Sequence, residues 1–68
     1  MNYCIEYERE EDGRWIAEVP QLPGVLAYGT TANEAMTKAE ALALRVLAER
    51  LETAECNPTP ISIAFAAL

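Results

Sequence analysis

The stretch "VPQLPGVLAYGTTANEAM", Val19 to Met36, sets prolines, glycines and a helix-start signal around the short apolar run "VLAY". Pro20 and Pro23 lack the backbone N–H that a strand ladder needs, and Gly24 tolerates backbone angles that other residues avoid. "PQLPG" therefore ends one strand and turns the chain. "VLAY" returns beside that strand as a short third strand closed by Gly29, and a short edge strand is protected against pairing with other chains. "TTANEAM" then carries a capping box, with Thr31 as N-cap and Glu34, three residues on, as its reciprocal partner. The carboxylate also suits the positive end of the helix dipole.

Upstream, "YCIEYERE" alternates, with Tyr3, Ile5 and Tyr7 on one side and Cys4, Glu6 and Glu8 on the other. That is the pattern of a half-buried strand. Asp12-Gly13 is a hairpin turn signal. "RWIAEV" alternates again, Trp15, Ala17 and Val19 against Arg14, Ile16 and Glu18. The first two strands thus form an antiparallel hairpin with one apolar and one mostly charged face.

Downstream, nearly every residue from Ala32 to about Ala54 is a good helix former. Ala32, Ala35, Met36, Ala39, Leu42, Ala43, Val46 and Leu47 share one stripe at helical spacing. Glu34, Lys38, Arg45, Glu49 and Glu52 are placed opposite it. Ala35, Ala39 and Ala43 let the helix sit close to a sheet carrying Tyr3, Tyr7 and Trp15, because small residues facing large ones fill space well. Pro58 stops the helix at Asn57. "ISIAFA" is a fourth strand, Ile61, Ile63 and Phe65 against Ser62, Ala64 and Ala66. The helix crossover returns that strand parallel to the first or the third, with right-handed connection.

The expected fold is α+β, a β-β-β-α-β chain with a three-stranded antiparallel meander, a parallel fourth strand and one long helix on one face. The helix outruns the sheet: about 34 Å at 1.5 Å per residue, against about 20 Å for a six-residue strand. A turn or two must overhang.

With 68 residues the chain is read as one domain, residues 1–68, and a domain this small is marginal alone. Two cysteines, Cys4 and Cys56, and no leader ahead of the first strand give no disulfide framework and point to a reducing, cytoplasmic setting. With no histidine, no zinc site is expected, and no cofactor. Self-association or a partner is left as the source of stability. A homo-oligomer, most simply a dimer, is expected, with Leu44, Leu51 and Phe65 as interface residues. The net charge of −6 disfavours direct DNA binding, which needs clustered Lys and Arg. It suits attraction to a basic protein instead. No stretch is long and apolar enough to span a membrane by helix.

Tyr3-x-Ile5, Asp12-Gly13-Arg14-Trp15-Ile16-Ala17, Val19-Pro20-x-Leu22-Pro23-Gly24 and Gly29-x-Thr31-x-x-Glu34-Ala35, in this order, resemble the HicB antitoxin family. The resemblance covers residues 1 to about 48 closely and the fourth strand loosely. It implies a partial ribonuclease H fold, strand order 3-2-1-4, with the last strand parallel to the first. It also implies a HicA-like partner, a small basic ribonuclease toxin. Many HicB-like proteins add a C-terminal DNA-binding domain; with "ISIAFAAL" closing the sequence, none is expected here.

The leading expectation is a non-catalytic protein that occludes the RNA-binding surface of such a toxin. Its candidate contacts are Glu6, Glu8 and Glu18 on the charged sheet face. Glu10, Glu11 and Asp12 in the hairpin turn join them, with Leu22, Pro23 and Gly24 in the proline loop. The alternative is a stand-alone oligomeric module with another partner. A remote alternative is a ribonuclease H-like nuclease. That chemistry needs carboxylates converging on paired cations; the sequence offers Glu6, Glu34 or Glu40, and no acid in the fourth strand.

Overall fold

A computed structural model describes residues 2–53 and 63–67. The elements run β1 (Asn2–Arg9), β2 (Trp15–Glu18), β3 (Leu26–Gly29), α1 (Ala32–Thr53) and β4 (Ala64–Ala67). The strands form one sheet in the order β3-β2-β1-β4, and α1 packs on one face. β1 pairs antiparallel with β2 and parallel with β4, so the fourth strand lies beside the first. The fold is α+β. Ala54, Cys56, Pro58 and residues 61–62, where the sequence places the helix end and the start of the fourth strand, lie outside the described residues.

The β1–β2 connection is set by Asp12 and Gly13. The Glu10 N–H donates to the Arg14 carbonyl at 2.7 Å, the Gly13 N–H donates to the Glu10 carbonyl at 3.0 Å, and Gly13 has φ +92°. This is a three-residue loop, a turn followed by a left-handed glycine, rather than the two-residue hairpin that Asp-Gly alone suggests.

The proline loop is two successive turns. The Leu22 N–H donates to the Val19 carbonyl at 3.0 Å, and the Val25 N–H donates to the Leu22 carbonyl at 3.1 Å. Pro20 and Pro23 each occupy the second position, where their fixed φ fits, and Gly24 supplies φ +85° at the third position of the second turn. The Val19 N–H closes the ladder on the Val25 carbonyl at 3.0 Å. Gln21 adds one more tie, its Oε1 accepting from the Cys4 N–H at 3.4 Å. Cys4 is half-buried with a free thiol.

This geometry turns Leu22 inward. Val19, Leu22 and Val25 are 1–2 % exposed and join Ile5, Ala17 and the helix alanines in the core. Full burial of such side chains is worth about 1.5–3 kcal/mol each, so the loop is pinned to the core. Ala35, Ala39 and Ala43 are 0 % exposed, as their spacing predicts, and Leu47 ends the buried row. After Leu47 every described helix residue is exposed, which is the expected overhang.

The capping box forms with a shift of one residue. The Glu34 N–H donates to Thr31 Oγ1 at 3.0 Å. The Glu34 carboxylate does not return to Thr31; it accepts from the Thr30 N–H at 3.3 Å and from Thr30 Oγ1 at 3.1 Å. Thr30 offers two donors to a two-oxygen acceptor, which outcompetes the single N–H of the N-cap. Lys38 Nζ adds an ion pair at 3.2 Å.

Candidate functional site

The helix covers one sheet face and leaves the other open. Strand alternation puts Glu6 and Glu8 of β1, Ile16 and Glu18 of β2, and Leu26 and Tyr28 of β3 on that open face. Register arranges them in two rows, Glu6–Glu18–Leu26 and Glu8–Ile16–Tyr28. Glu6, Glu8 and Glu18 line a shallow depression of about 170 Å³ with Ile16 and Tyr7. Leu26 and Tyr28 are 43 % and 41 % exposed beside it.

Glu6 stands directly opposite Glu18. Like charges in that position destabilise a sheet by a few tenths of a kcal/mol to about 1 kcal/mol. None of Glu6, Glu8 and Glu18 forms an ion pair with another described residue. The nearby cation, Arg14, is already engaged. Its Nε donates to Asp12 Oδ2 at 2.8 Å, and its guanidinium stands 4.7 Å from the centre of the Tyr28 ring. The face therefore carries three uncompensated carboxylates around an apolar patch.

The other expected contacts are scattered. Glu11 and Asp12 are exposed and Glu10 is half-buried at the hairpin end of the sheet. Asp12 belongs to the turn itself: it accepts from the Arg14 N–H at 3.0 Å, and that bond, with the Arg14 side chain, holds its carboxyl below the ordinary aspartate value. Pro23 and Gly24 are exposed at the opposite end of the sheet. Leu22, expected among the partner contacts, is 2 % exposed in the core and offers no surface. A turn residue between prolines reads as surface until the turn geometry shows which way it points. Ile16, Leu26 and Tyr28 are the residues that the site analysis of the sequence missed. The signal was present in the register of "VLAY" against "WIAE", which the sequence does not align by itself.

Of the expected interface residues, Leu44 and Leu51 are 46 % and 47 % exposed on the helix. Phe65 is half-buried and stacks on Tyr3, ring centres 5.5 Å apart at 26°, so its ring has a partner within the chain.

Glu6 lies on the open sheet face, Glu34 at the start of the helix behind the sheet, bonded to Thr30 and Lys38, and Glu40 exposed further along that helix. Glu6 and the two helix carboxylates offered with it for two-metal chemistry thus sit on opposite sides of the sheet. Among the described residues no group of three metal-ligating side chains comes together, and no helix is long and apolar enough to cross a membrane.

Comparison with protein-family models, with curated proteins and with solved structures returns no match.

Proposed function

We propose that this chain is a non-catalytic, HicB-like binding protein of the cytoplasm that occludes a small basic HicA-like ribonuclease through its open sheet face. The observation that carries the reading is the directly opposed, unpaired Glu6 and Glu18 beside Ile16, Leu26 and Tyr28. A face that keeps like charges together at a cost in stability is matched to a basic surface, where those charges gain partners and compete with RNA phosphates. The apolar residues supply the contact area that charge alone does not.

The experiment is titration calorimetry and an RNA-cleavage assay with a purified HicA-like ribonuclease. Wild type is expected to bind and to suppress cleavage. Glu6→Gln/Glu18→Gln is expected to fold at least as stably, since the repulsion is relieved, yet to bind at least about tenfold more weakly. Equal binding by wild type and the double variant removes the open face from the interface. Failure of the wild type to bind removes the toxin-partner reading and leaves the oligomeric module.

A further inference from the structure

The half of α1 turned away from the sheet is itself divided. Lys38, Arg45, Glu49 and Glu52 form a charged row along one flank. Ala41, Leu44, Ala48 and Leu51 form an apolar row beside it, and all four are exposed. At 100° per residue these four fall within about 80° of one another. Their spacing is three, four, three, the a/d spacing by which helices pair along a seam. The sequence already set Leu44 and Leu51 apart as interface residues; the structure adds Ala41 and Ala48 as exposed members of the same row. Leu44 and Leu51, one heptad apart and 46 % and 47 % exposed, join Ala41 and Ala48 in one continuous apolar strip.

We propose that this row docks on its own copy in a second chain, antiparallel about a two-fold axis. Two features of the row select a copy as the occupant. The first is size. An antiparallel two-fold sets Leu44 over the partner's Ala48 and Leu51 over the partner's Ala41, so every layer holds one large and one small side chain and fills evenly. A parallel pair would stack leucine on leucine and leave the alanine layers underfilled. The second is charge. In an antiparallel pair the flanking row meets itself reversed, which brings Lys38, already paired with Glu34 of its own helix at 3.2 Å, within reach of the partner's Glu52 as a second carboxylate, twice per dimer. Arg45 then meets the partner's Arg45 near the axis. That repulsion and the shortness of the seam set a weak dimer, at the micromolar end of the range that protein interfaces span or beyond it.

The seam lies on the opposite layer of the molecule from the open acidic sheet face. Dimerisation thus leaves that face uncovered and makes the assembly divalent, one acidic face at each end. The inference does not rest on the proposed function, and its test contains no partner protein.

The experiment is sedimentation equilibrium of the full chain from about 1 to 500 μM, which covers that micromolar range. Wild type is expected to pass from a 7.5 kDa monomer to a dimer across that range. Leu44→Glu is expected to stay monomeric throughout with unchanged circular dichroism, because Leu44 is half-exposed and outside the core. Glu52→Lys is expected to weaken the dimer by roughly 3–10-fold, as two exposed ion pairs per dimer allow. Adding Lys38→Glu to it is expected to restore most of the loss. Wild type remaining monomeric at the highest concentration overturns the proposal. So does a dimer that Leu44→Glu leaves intact, which would point to pairing of the β3 or β4 edges. Loss of the dimer without rescue by the charge swap overturns the antiparallel register.

Discussion

Gly29 has no room for a side chain. A Cβ placed there would lie 2.6 Å from the Ala35 nitrogen and 3.1 Å from its Cα, so the first turn of α1 rests directly on the end of β3. Gly24 is the opposite case: a Cβ would meet nothing within 4 Å, but φ is +85°. The two glycines are therefore needed for different reasons, and substitutions separate them. Gly29→Ala is expected to cost about 1–3 kcal/mol in urea unfolding, because backbone must shift to admit the methyl group. Gly24→Ala is expected to cost about 1–2 kcal/mol through its dihedral alone. Gly24→Asn should recover much of that loss, since Asn tolerates the left-handed region, and Gly29→Asn should recover nothing. A Gly29→Ala variant as stable as wild type would mean the helix does not seat there. In the sequence Gly29 reads only as the end of a strand. Its close contact depends on where the helix lands, which is a tertiary fact. Leu22 was misread for a related reason: its neighbours announce a turn, and only the pair of turns rotates it into the core.

The elements themselves were largely legible, because each is fixed by local chemistry. Alternation over Tyr3–Glu8 and Trp15–Val19 needs only the strand period, and the buried row Ala35, Ala39, Ala43 and Leu47 needs only the helical one. The capping box named Thr31 and Glu34 correctly as the helix start, and missed that the carboxylate would choose Thr30. Glu6, Glu8 and Glu18 were legible as one charged face; what depends on register between strands was not, above all Glu6 directly opposite Glu18 and Ile16 opposite Tyr28. The cap has a pH consequence. Hydrogen bonding to Lys38, then to the Thr30 N–H and hydroxyl, holds the Glu34 carboxyl below the ordinary glutamate value. A carboxyl depressed in the folded chain favours folding above its unfolded value of about 4.3, and that contribution is lost as pH falls through the folded value. Glu34→Gln is therefore expected to lower Tm at neutral pH, with the difference from wild type closing as pH drops below about 4. Thermal melts across that range check it. A difference that persists unchanged at acid pH would assign the loss to the cap's hydrogen bonds and not to its charge.

At the scale of the whole molecule, the negative charge is divided among sites that act at different range. Glu10 and Glu11 sit at the hairpin tip, Glu6 and Glu18 at the far end of the β1–β2 ladder. The four residues of β2 separate them by about 13 Å at ~3.3 Å per residue. That exceeds the screening length of about 8 Å at physiological salt and falls well inside the ~30 Å that applies at 10 mM. Charge at the tip can therefore steer a basic partner at low salt without touching it. Reversing Glu10 and Glu11 to Lys takes the net charge from −6 to −2, since each reversal adds two. Against the proposed HicA-like ribonuclease, this variant is expected to slow association several-fold at about 10 mM salt and to change it little at about 150 mM. Tyr28→Ala should behave in the other sense. Tyr28 is 41 % exposed on the open face, and removing such an apolar anchor is expected to speed dissociation about tenfold at either salt, with association nearly unchanged. Stopped-flow association and surface-based dissociation kinetics on wild type and the two variants read both terms. Equal slowing by the tip reversal at both salts would place Glu10 and Glu11 in direct contact with the partner, and an unchanged dissociation rate for Tyr28→Ala would take the apolar patch out of the interface.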